Sequence, residues 1–590
     1  MTQQIEHRVK TRIMQQLVTS LIYENVVVYT MSQRKEKKHH VKIKGEQASY
    51  HFDIDVTDSF DRLQLTSHIM KVTPNGHQEA TLDYANLLRD ACYTFKKDTE
   101  KVENFIGELI QTELKDCQAL KYKNSVHKEV PHTFNGLESY AMEGHMYHPS
   151  YKSRLGFTLD ENLKYGPDFK PSLYLKWVAV PKTRVQQTLS KTVALEKLLQ
   201  HQLGKETIEQ FEATLRQHVE CVSDYVWLPV HPWQFDHIIA HVLAEEWLRG
   251  DIIFLGKSQE AYVPQQSIRT LSPVAIDKYY IKVPLSITNT STQRVLAPHT
   301  IENAAQITDW LKRIQAQDTY LRDQLRTVFL GEVLGMSYDN SYLSERKRTD
   351  TYGALGVIWR ENIYHYLDAG EEAIPFHALY SKDVVDRPVI DHWIQQYGSE
   401  AWMQQFIKVA VRPLIHMLYT HGIALESHAQ NMMLIHENGW PIRVAIKDFH
   451  DGVRFKRDLL SDIAKNPQLQ DTPEAHQRIN RNSFIETNDV QLVRDFVLDA
   501  FFFINMSQLI LFMRESYDLS ETKQWRMVYD CIQDYLQAHP DLPLITYFDL
   551  FERTIQVEKL TTRRLREDNA LRIHHVTNPL GVIHDDVSVT

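Results

Sequence analysis

Hydrophobic positions divide the first part of the chain into helical and extended segments. Apolar residues recur every four positions at 5, 9, 13, 17 and 21, which predicts an amphipathic helix. Apolar and β-branched runs predict strands in YENVVVYTM (23–31) and HFDIDV (51–56). Helical spacing returns in VENFIGELIQTELKDC (102–117). We therefore predict that residues 1–135 mix helices with strands.

The pattern changes twice further along the chain. Residues 136–375 are richer in strands and prolines, and residues 376–590 are mainly helical apart from one hairpin. The elements predicted in these two parts are strands within 225–235, 251–256 and 278–291 and helices at 192–203, 301–315, 401–422, 490–513 and 521–537. The predicted fold class is therefore α+β, in three parts.

Composition and charge narrow the class of protein. At 590 residues with 43% hydrophobic side chains, the chain is long enough for about two to four domains with packed cores. Its net charge of −10 is spread along the chain, which argues against a nucleic-acid binder, because such a protein needs a basic face. No run reaches the roughly 18 apolar residues of a membrane span, and the most apolar run, 499–513, is predicted to be a buried helix.

The cysteines lie far apart in the sequence and have no metal-ligand spacing. They are Cys92, Cys117, Cys221 and Cys531. Such a set predicts neither a zinc site nor a disulfide framework, which is typical of a cytoplasmic protein.

One hairpin stands out in the helical C-terminal part. The strand-like runs NMMLI and RVAIKDF flank Asn438 and Gly439, a strong signal for a two-residue turn. Because a hairpin brings its outer ends together, Asn431 and Asp448 should lie side by side, with His428 one helical turn before Asn431. An amide oxygen and a carboxylate so placed are the ligands with which kinase-type folds hold Mg²⁺ on ATP phosphates. The residues alone fit a turn capped by polar side chains equally well.

Cationic and hydroxyl side chains cluster upstream of the hairpin. Lys282 lies in the apolar run KYYIKVPLSI, where a charge is costly unless it meets an anion, and Arg294 follows twelve residues later. Ser267, Arg269 and Thr270 precede both in QQSIRTL. Each alone is more typical of a surface ion pair, but together they predict a cradle for a polyanion. The sequence contains neither a GxxxxGK[ST] loop nor a GxGxxG motif after a strand, so the fold is neither P-loop nor Rossmann.

The ordered motifs HPSYKSRLGF, LPVHPWQ, SIRT, IKVPLSITNTSTQR and ESHAQN…KDF resemble those of the IucA/IucC family. This family comprises siderophore synthetases that work without a non-ribosomal peptide synthetase, and the resemblance covers nearly the whole chain. The chain is most similar to the type C branch of staphyloferrin B synthesis, which acts on a partly built citryl intermediate. The resemblance implies a cupped hand with a thumb at 1–135, fingers at 136–375 and a palm at 376–590, and ATP between fingers and palm.

The activity implied by the resemblance is an ATP-dependent ligation. A carboxylate of citrate or of a citryl intermediate attacks the α-phosphate of ATP, which gives an acyl adenylate and pyrophosphate. The amine of a diamine or diamino acid then displaces AMP and leaves an amide, with Mg²⁺ and cationic side chains stabilising the developing charge. A small-molecule kinase is the alternative, and a non-catalytic polycarboxylate-binding protein is a third possibility. We expect a homodimer with small-molecule substrates and neither a nucleic-acid nor a membrane partner.

The resemblance also assigns roles to individual residues. The implied catalytic residues are Arg294, Lys282 and His428. The implied ATP-binding residues are Ser267, Arg269, Thr270, Lys282, His428, Asn431 and Asp448. The implied substrate-binding residues are His148, Lys152, Arg154 and Arg294. The implied metal ligands are Glu426, Asn431, Asp448 and Asp451.

The motif KDFHDG departs from the family pattern. His450 stands where many members have a second acid, so Asp451 is expected to replace that acid through a one-residue bulge. In the tail, Lys559 and Arg563 are further site candidates, because the resemblance implies that this segment folds back toward the active site. His231 in HPWQ is expected to be structural, with Trp233 as a core anchor.

Overall fold

The N-terminal part packs three helices against an antiparallel sheet. A computed structural model describes residues 2–95, 97–126, 128–290, 292–479, 481–567 and 572–589. The helices of this part are Thr2–Tyr23, Tyr84–Ala91 and Thr99–Ser125, and the strands are Tyr29–Gln33, Lys38–Lys44, Ser49–Val56, Leu63–Leu65, Met70–Val72 and Gln78–Ala80. The predicted apolar stripe of the first helix is buried against this sheet and the long third helix.

One predicted strand is shorter than expected. The run YENVVVYTM becomes a strand only at Tyr29, because the first helix extends to Tyr23. Asn25 then takes a left-handed conformation, with a φ of 54°, and the Val26 amide donates back to the carbonyl of Leu21. The turn that follows the helix therefore occupies Val26, Val27 and Val28, whose β-branched side chains favour a strand.

The middle part contains a six-stranded sheet, a three-stranded sheet, a two-stranded sheet and two strands of a sheet shared with the C-terminal part. Its strands are Lys176–Pro181, Val185–Leu189, Tyr225–Val230, Ile253–Lys257, Tyr262–Pro264, Thr270–Pro273, Tyr280–Lys282, Leu285–Asn289, Thr292–Arg294, Val328–Phe329, Glu332–Tyr338, Gly356–Arg360 and Glu371–Pro375. Its helices are Phe134–Tyr140, Leu159–Tyr165, Leu195–Leu203, Lys205–Leu215, Pro232–Gln234, Ala240–Val242, Ala244–Leu248, Pro298–Gln317 and Glu345–Thr351. In the larger sheet Thr270 lies opposite Lys282, and Lys282 lies opposite Ile358.

The C-terminal part contains the predicted hairpin within a four-stranded sheet. The strands of the C-terminal part are Ile423–Leu425, Met432–Glu437, Trp440–Ile446, Val453–Phe455, Thr554–Glu558 and Ile573–Thr577. Its helices are Asp391–Tyr397, Ser399–His421, Glu474–Ile479, Val490–Val497, Ser507–Tyr517, Glu521–Ala538, Leu560–Leu565 and Pro579–Val589. Asn438 and Gly439 both have positive φ, as a tight two-residue turn requires, and a Cβ on Gly439 would meet the Trp393 ring at 2.1 Å.

The hairpin also pairs with strands from the middle part. Glu371–Pro375 runs antiparallel to Met432–Glu437, and Val328–Phe329 runs parallel to Trp440–Ile446. One sheet therefore spans the sequence position where the middle and C-terminal parts were expected to meet, and it holds the hairpin rigidly against the middle part.

The most apolar run of the sequence is a core helix, as predicted. The helical stretch Val490–Tyr517 is long and apolar enough to cross a membrane, and it is the one such stretch among the residues that the structure describes. Its apolar window is 72% buried inside the protein, against the helices and hairpin of the C-terminal part. Burial by protein rather than lipid therefore explains its composition.

Reducing agents are expected to leave thermal stability unchanged. All four cysteines are free thiols, and Cys92, Cys117 and Cys531 are buried away from one another. Because no cross-link restrains the unfolded chain, the melting temperature with and without dithiothreitol should agree to within a degree or so. A melting temperature that falls by several degrees in dithiothreitol would contradict this assignment.

Candidate active site

The outer ends of the hairpin meet as the sequence predicts. The Lys447 amide donates to the Asn431 carbonyl oxygen at 3.0 Å, which sets Asn431 beside the Lys447–Asp448 end of the second strand. The side-chain amide of Asn431 donates to the Glu426 carbonyl at 3.1 Å and to its carboxylate at 3.3 Å. The Asn431 side-chain oxygen remains available as a ligand, next to a carboxylate.

Asp448 is bound by two buried cations of the middle part. Its Oδ1 accepts from Lys282 Nζ at 2.7 Å and lies 3.3 Å from an Arg360 guanidinium nitrogen. Burial by itself would raise the pKa of Asp448, but Arg360 and Lys282 outweigh it and hold that pKa well below its usual range. Burial lowers the pKa of Lys282, and Asp448 opposes that change. Arg360 was missed by the sequence analysis.

A buried glutamate supports the residue that departs from the family pattern. Glu332 accepts from the His450 amide at 2.9 Å, and its other oxygen lies 2.8 Å from His450 Nδ1. The opposite ring nitrogen of His450 lies 3.3 Å from Lys282 Nζ and 3.4 Å from Asp451 Oδ1. Glu332 is fully buried in the strand Glu332–Tyr338. A charge within the apolar run EVLGM was the signal that could have revealed it.

The acids around the hairpin have the chemistry of a divalent-cation site. Burial, together with the nearby Asp451 and Asp448, raises the pKa of Glu426 to about 8. Carboxylate and amide oxygens grouped in this way are the ligands that Mg²⁺ prefers in proteins. Glu332, Asp448 and His450 form a second group whose ligand atoms lie within 4.8 Å of one another. The set of metal ligands expected from the sequence remains a prediction, and Glu332 is an additional candidate ligand.

The SIRT motif forms a tight turn at the edge of the same group. Ser267 Oγ accepts from the Thr270 amide at 3.1 Å, and Ile268 has a φ of 71°. A left-handed conformation costs a β-branched residue about 1 to 3 kcal/mol and is usually retained where function requires it. Arg269 donates to the Val295 carbonyl, and burial lowers its pKa while Asp451 and Asp448 raise it.

A cavity of about 370 Å³ adjoins this group. Glu426 and His428 line it, and burial lowers the pKa of His428 to about 4, so that the imidazole is neutral. Arg294 also lines it, donating only to the Asn289 carbonyl and the Thr290 hydroxyl, each at 3.2 Å. Lys282 instead lies in the buried group with Asp448.

The predicted substrate-binding cations already have carboxylate partners. Lys152 Nζ lies 2.6 Å from Asp116 and 2.8 Å from Asp168, and Arg154 lies 2.5 Å from Asp168. Both residues line the cavity, whereas His148 is buried beside it. Their contact with a substrate stays a prediction, but their charge is largely balanced within the protein.

Arg62 is a cavity residue that the sequence analysis missed. Its guanidinium donates to the Ser507 hydroxyl at 3.2 Å and to the Gln508 side-chain oxygen at 3.4 Å. Within the described part of the chain, neither Arg62 nor Arg294 forms an ion pair. The cavity therefore presents two guanidinium groups whose charge is available to an anionic ligand.

The C-terminal tail folds back against the cavity. Glu558 lines the cavity and lies 3.2 Å from an Arg563 guanidinium nitrogen. The Thr561 and Thr562 amides donate to the buried Glu24 at 3.0 and 2.7 Å. This contact fastens the tail to the first helix. Lys559 precedes the short helix of the tail without lining the cavity. In HPWQ, His231 and Trp233 are both buried, in line with a structural role.

Comparison with known proteins agrees with this geometry. Residues 133–381 match the family described as "IucA / IucC family", and residues 400–573 match that described as "Ferric iron reductase FhuF-like transporter". A Staphylococcus aureus protein named 2-[(L-alanin-3-ylcarbamoyl)methyl]-3-(2-aminoethylcarbamoyl)-2-hydroxypropanoate synthase is 58% identical over 100% of this chain and 96% of its own. The chain belongs to the IucA/IucC family. The predicted family and class of activity, an ATP-dependent ligase of siderophore biosynthesis, are thereby confirmed.

Two further comparisons extend the similarity to the fold. A Bacillus anthracis ligase named citryl-spermidine/3,4-dihydroxybenzoyl-citryl-spermidine:spermidine ligase is 35% identical over 97% of this chain and 93% of its own. The crystal structure of a petrobactin biosynthesis protein from Bacillus anthracis str. Sterne has a TM-score of 0.91 at 33% identity, covering 99% of this chain and 97% of its own. The mixed α+β class predicted from the sequence is confirmed.

Replacing Asp448 with Asn is expected to abolish pyrophosphate release and to lower stability. The amide keeps the side chain's shape but removes the charge that faces Lys282, Arg360 and any bound Mg²⁺. Leaving the two buried cations without their carboxylate should cost about 3 kcal/mol of unfolding free energy, which thermal or urea unfolding would measure.

Asp451→Asn is the comparison variant, because the Asp451 side chain is 42% exposed and its loss leaves no buried charge unpaired. If Asp451→Asn alone stops pyrophosphate release, Asp451 rather than Asp448 is the essential acid. If both variants stay active at ordinary Mg²⁺ concentrations, the metal assignment for this hairpin fails.

Proposed function

We propose that this chain adenylates a carboxylate of citrate or of a citryl intermediate with ATP and then condenses it with an amine. The products are an amide, AMP and pyrophosphate. The observation that carries the proposal is the Lys282–Asp448 pair, which joins the SIRT turn to the hairpin acids beside a cavity with two unpaired guanidinium groups. The residues proposed to bind phosphate, metal and carboxylate thus lie close enough to form one site.

The relatives' names support a citryl acid that already carries one amide. The Staphylococcus aureus relative is named for a product with two carbamoyl arms on a 2-hydroxypropanoate core, and the Bacillus anthracis relative for ligation of spermidine. We therefore place this chain in the type C branch of staphyloferrin B synthesis, with a diamine or diamino acid as nucleophile. Function in the cytoplasm as a homodimer remains a prediction.

The chain's own residues account for binding and charge stabilisation. We propose that the ATP phosphates are held by Arg269, Lys282 and the hydroxyls of Ser267 and Thr270. Arg294 is proposed to hold the carboxylate that attacks the α-phosphate. Preorganised cations stabilise the charge that develops on the α-phosphate without forming covalent bonds to it. When bound by Glu426, Asn431, Asp448 and Asp451, Mg²⁺ would neutralise phosphate charge. His428, neutral in the cavity, is placed to accept the proton released by the amine.

The arrangement of cores supports the proposed three-part hand. One hydrophobic cluster lies almost wholly in the proposed thumb, 1–135, a second within the fingers, 136–375, and the largest mainly in the palm, 376–590. The helix Pro298–Gln317 contributes Trp310 and Leu311 to the palm cluster. The proposed fingers and palm therefore share part of one hydrophobic core.

The products distinguish this proposal from the kinase alternative. Full-length protein with ATP, Mg²⁺, a citrate derivative and a diamine is expected to form AMP and pyrophosphate in equal amounts, with an amide as the third product. Chromatography of the nucleotides and a coupled pyrophosphate assay would measure both. Formation of ADP and a phosphorylated acid would identify a kinase and refute the ligase. Binding of citrate derivatives without nucleotide turnover would favour a non-catalytic role.

Replacing Arg294 with Ala is expected to reduce pyrophosphate release about 100- to 1,000-fold, by analogy with the loss of one preorganised donor to a transition state. The fold should survive, because Arg294 contributes only two hydrogen bonds of 3.2 Å to neutral acceptors. Arg313→Ala is the matched control, since Arg313 is exposed and makes one backbone hydrogen bond far from the cavity. Wild-type turnover by Arg294→Ala would exclude Arg294 from the site, and loss of the melting transition would make its role structural.

A further inference from the structure

The lining of the 370 Å³ cavity is acidic where the apolar helix and the tail meet. Asp499 and Glu558 both line it there, together with the Phe496 ring and the Asn482 side chain. Asp499 interrupts the run VLDAFFFINM, whose other residues are almost all apolar and whose neighbours pack into the core. An acid in such a run is costly, so its retention at a cavity surface calls for a ligand or a partner.

Asp499 has no such partner within the described part of the protein. No hydrogen bond or ion pair joins its carboxylate to another described residue, although it contributes to the wall of a cavity. The guanidinium of Arg454, which lowers the pKa of Asp499, has other partners. It donates to the Asn482 carbonyl at 2.9 Å and lies between the rings of Phe484 and Phe496, at 4.0 and 4.1 Å.

Positive charge in this corner of the cavity does not fully balance its acidic side chains. Burial, together with the negative charges of Glu558 and Asp495, raises the pKa of Asp499 to about 8 against the smaller opposing effect of Arg454. Glu558 is partly balanced by Arg563, at 3.2 Å, whereas the charge of Asp499 is not. A cationic group entering the cavity would therefore ionise Asp499 and pair with it.

We propose that Asp499, assisted by Glu558, binds the second ammonium group of a diamine-type nucleophile whose other amine reacts with the adenylate. This inference rests on the proposed function and adds a recognition site for the amine. A diamine brings a second positive charge into the cavity, and that charge needs an anionic partner once water is excluded. Fixing the far end of the nucleophile also orients its reacting amine.

These acids are distinct from the proposed metal ligands. Glu426 accepts a hydrogen bond from the side-chain amide of Asn431 and lies just before the first strand of the hairpin. Asp499 lies on the helical stretch Leu498–Met506, and Glu558 ends the strand Thr554–Glu558, which pairs with the tail strand Ile573–Thr577. One cavity thus contains unpaired guanidinium groups for an acid and unpaired carboxylate charge for an amine.

The test compares 1,2-diaminoethane with ethylamine, which keeps the reacting amine and the two-carbon chain but lacks the second amine. The wild-type protein is expected to show a higher kcat/KM for the diamine. In Asp499→Asn this preference should fall about 10- to 100-fold, the effect of losing one charge-assisted contact, while kcat/KM for ethylamine stays unchanged. Pyrophosphate release with ATP and the acid alone should be retained, which shows that adenylation is intact. Asp499→Glu keeps the charge and should retain most of the preference.

Asp518→Asn is the matched control, because Asp518 ends the same helical stretch, is exposed and lies outside the cavity. The inference is overturned if wild-type protein treats the two amines alike, if Asp499→Asn keeps the preference, or if the Asn and Glu variants behave the same. It also fails if Asp518→Asn loses the preference equally. Failure of the proposed function looks different, because wild-type protein would then release no pyrophosphate with any acid.

Discussion

The buried ion pair between Lys282 and Asp448 is the interaction on which the site depends. It joins residues 166 positions apart, one from the larger sheet of the middle part and one from the end of the palm hairpin. Either charge, buried without its partner, would strongly destabilise the fold. The middle and C-terminal parts must therefore meet at this ion pair. Arg360 and the Glu332–His450 pair surround it, which makes this the most polar region of an otherwise apolar junction.

This junction also gathers positive charge from several elements. The cations that surround Asp448 outnumber the charge that one carboxylate supplies, and the SIRT turn adds Arg269 at the same edge. Under the proposed function, these cations would meet the phosphates of ATP with little reorganisation, because they are already held in place. The cost of burying these charges is offset by the sheet that spans both parts and by the large palm core.

The cavity beside the junction is completed by segments from the two ends of the chain. Arg62 comes from the N-terminal part, Asp499 from the core helix and Glu558 from the tail. Glu24 of the first helix accepts three hydrogen bonds from Thr561 and Thr562, which holds the tail against the thumb and thereby closes one wall. Substrate chemistry at this wall thus depends on contacts between residues more than 500 positions apart.

Local sequence determined the hairpin, the amphipathic first helix and the buried helix 499–513, because turn residues and apolar periodicity act over a few neighbouring positions. It also marked Lys282 and the SIRT motif, whose polar groups stand out in apolar surroundings. Only the tertiary structure decided that Lys152 and Arg154 are neutralised by Asp168, that Arg62 faces the cavity and that Glu332 supports His450. Those pairings join residues distant in sequence, and a charge's partner is fixed by how the chain folds around it rather than by its neighbours along the chain.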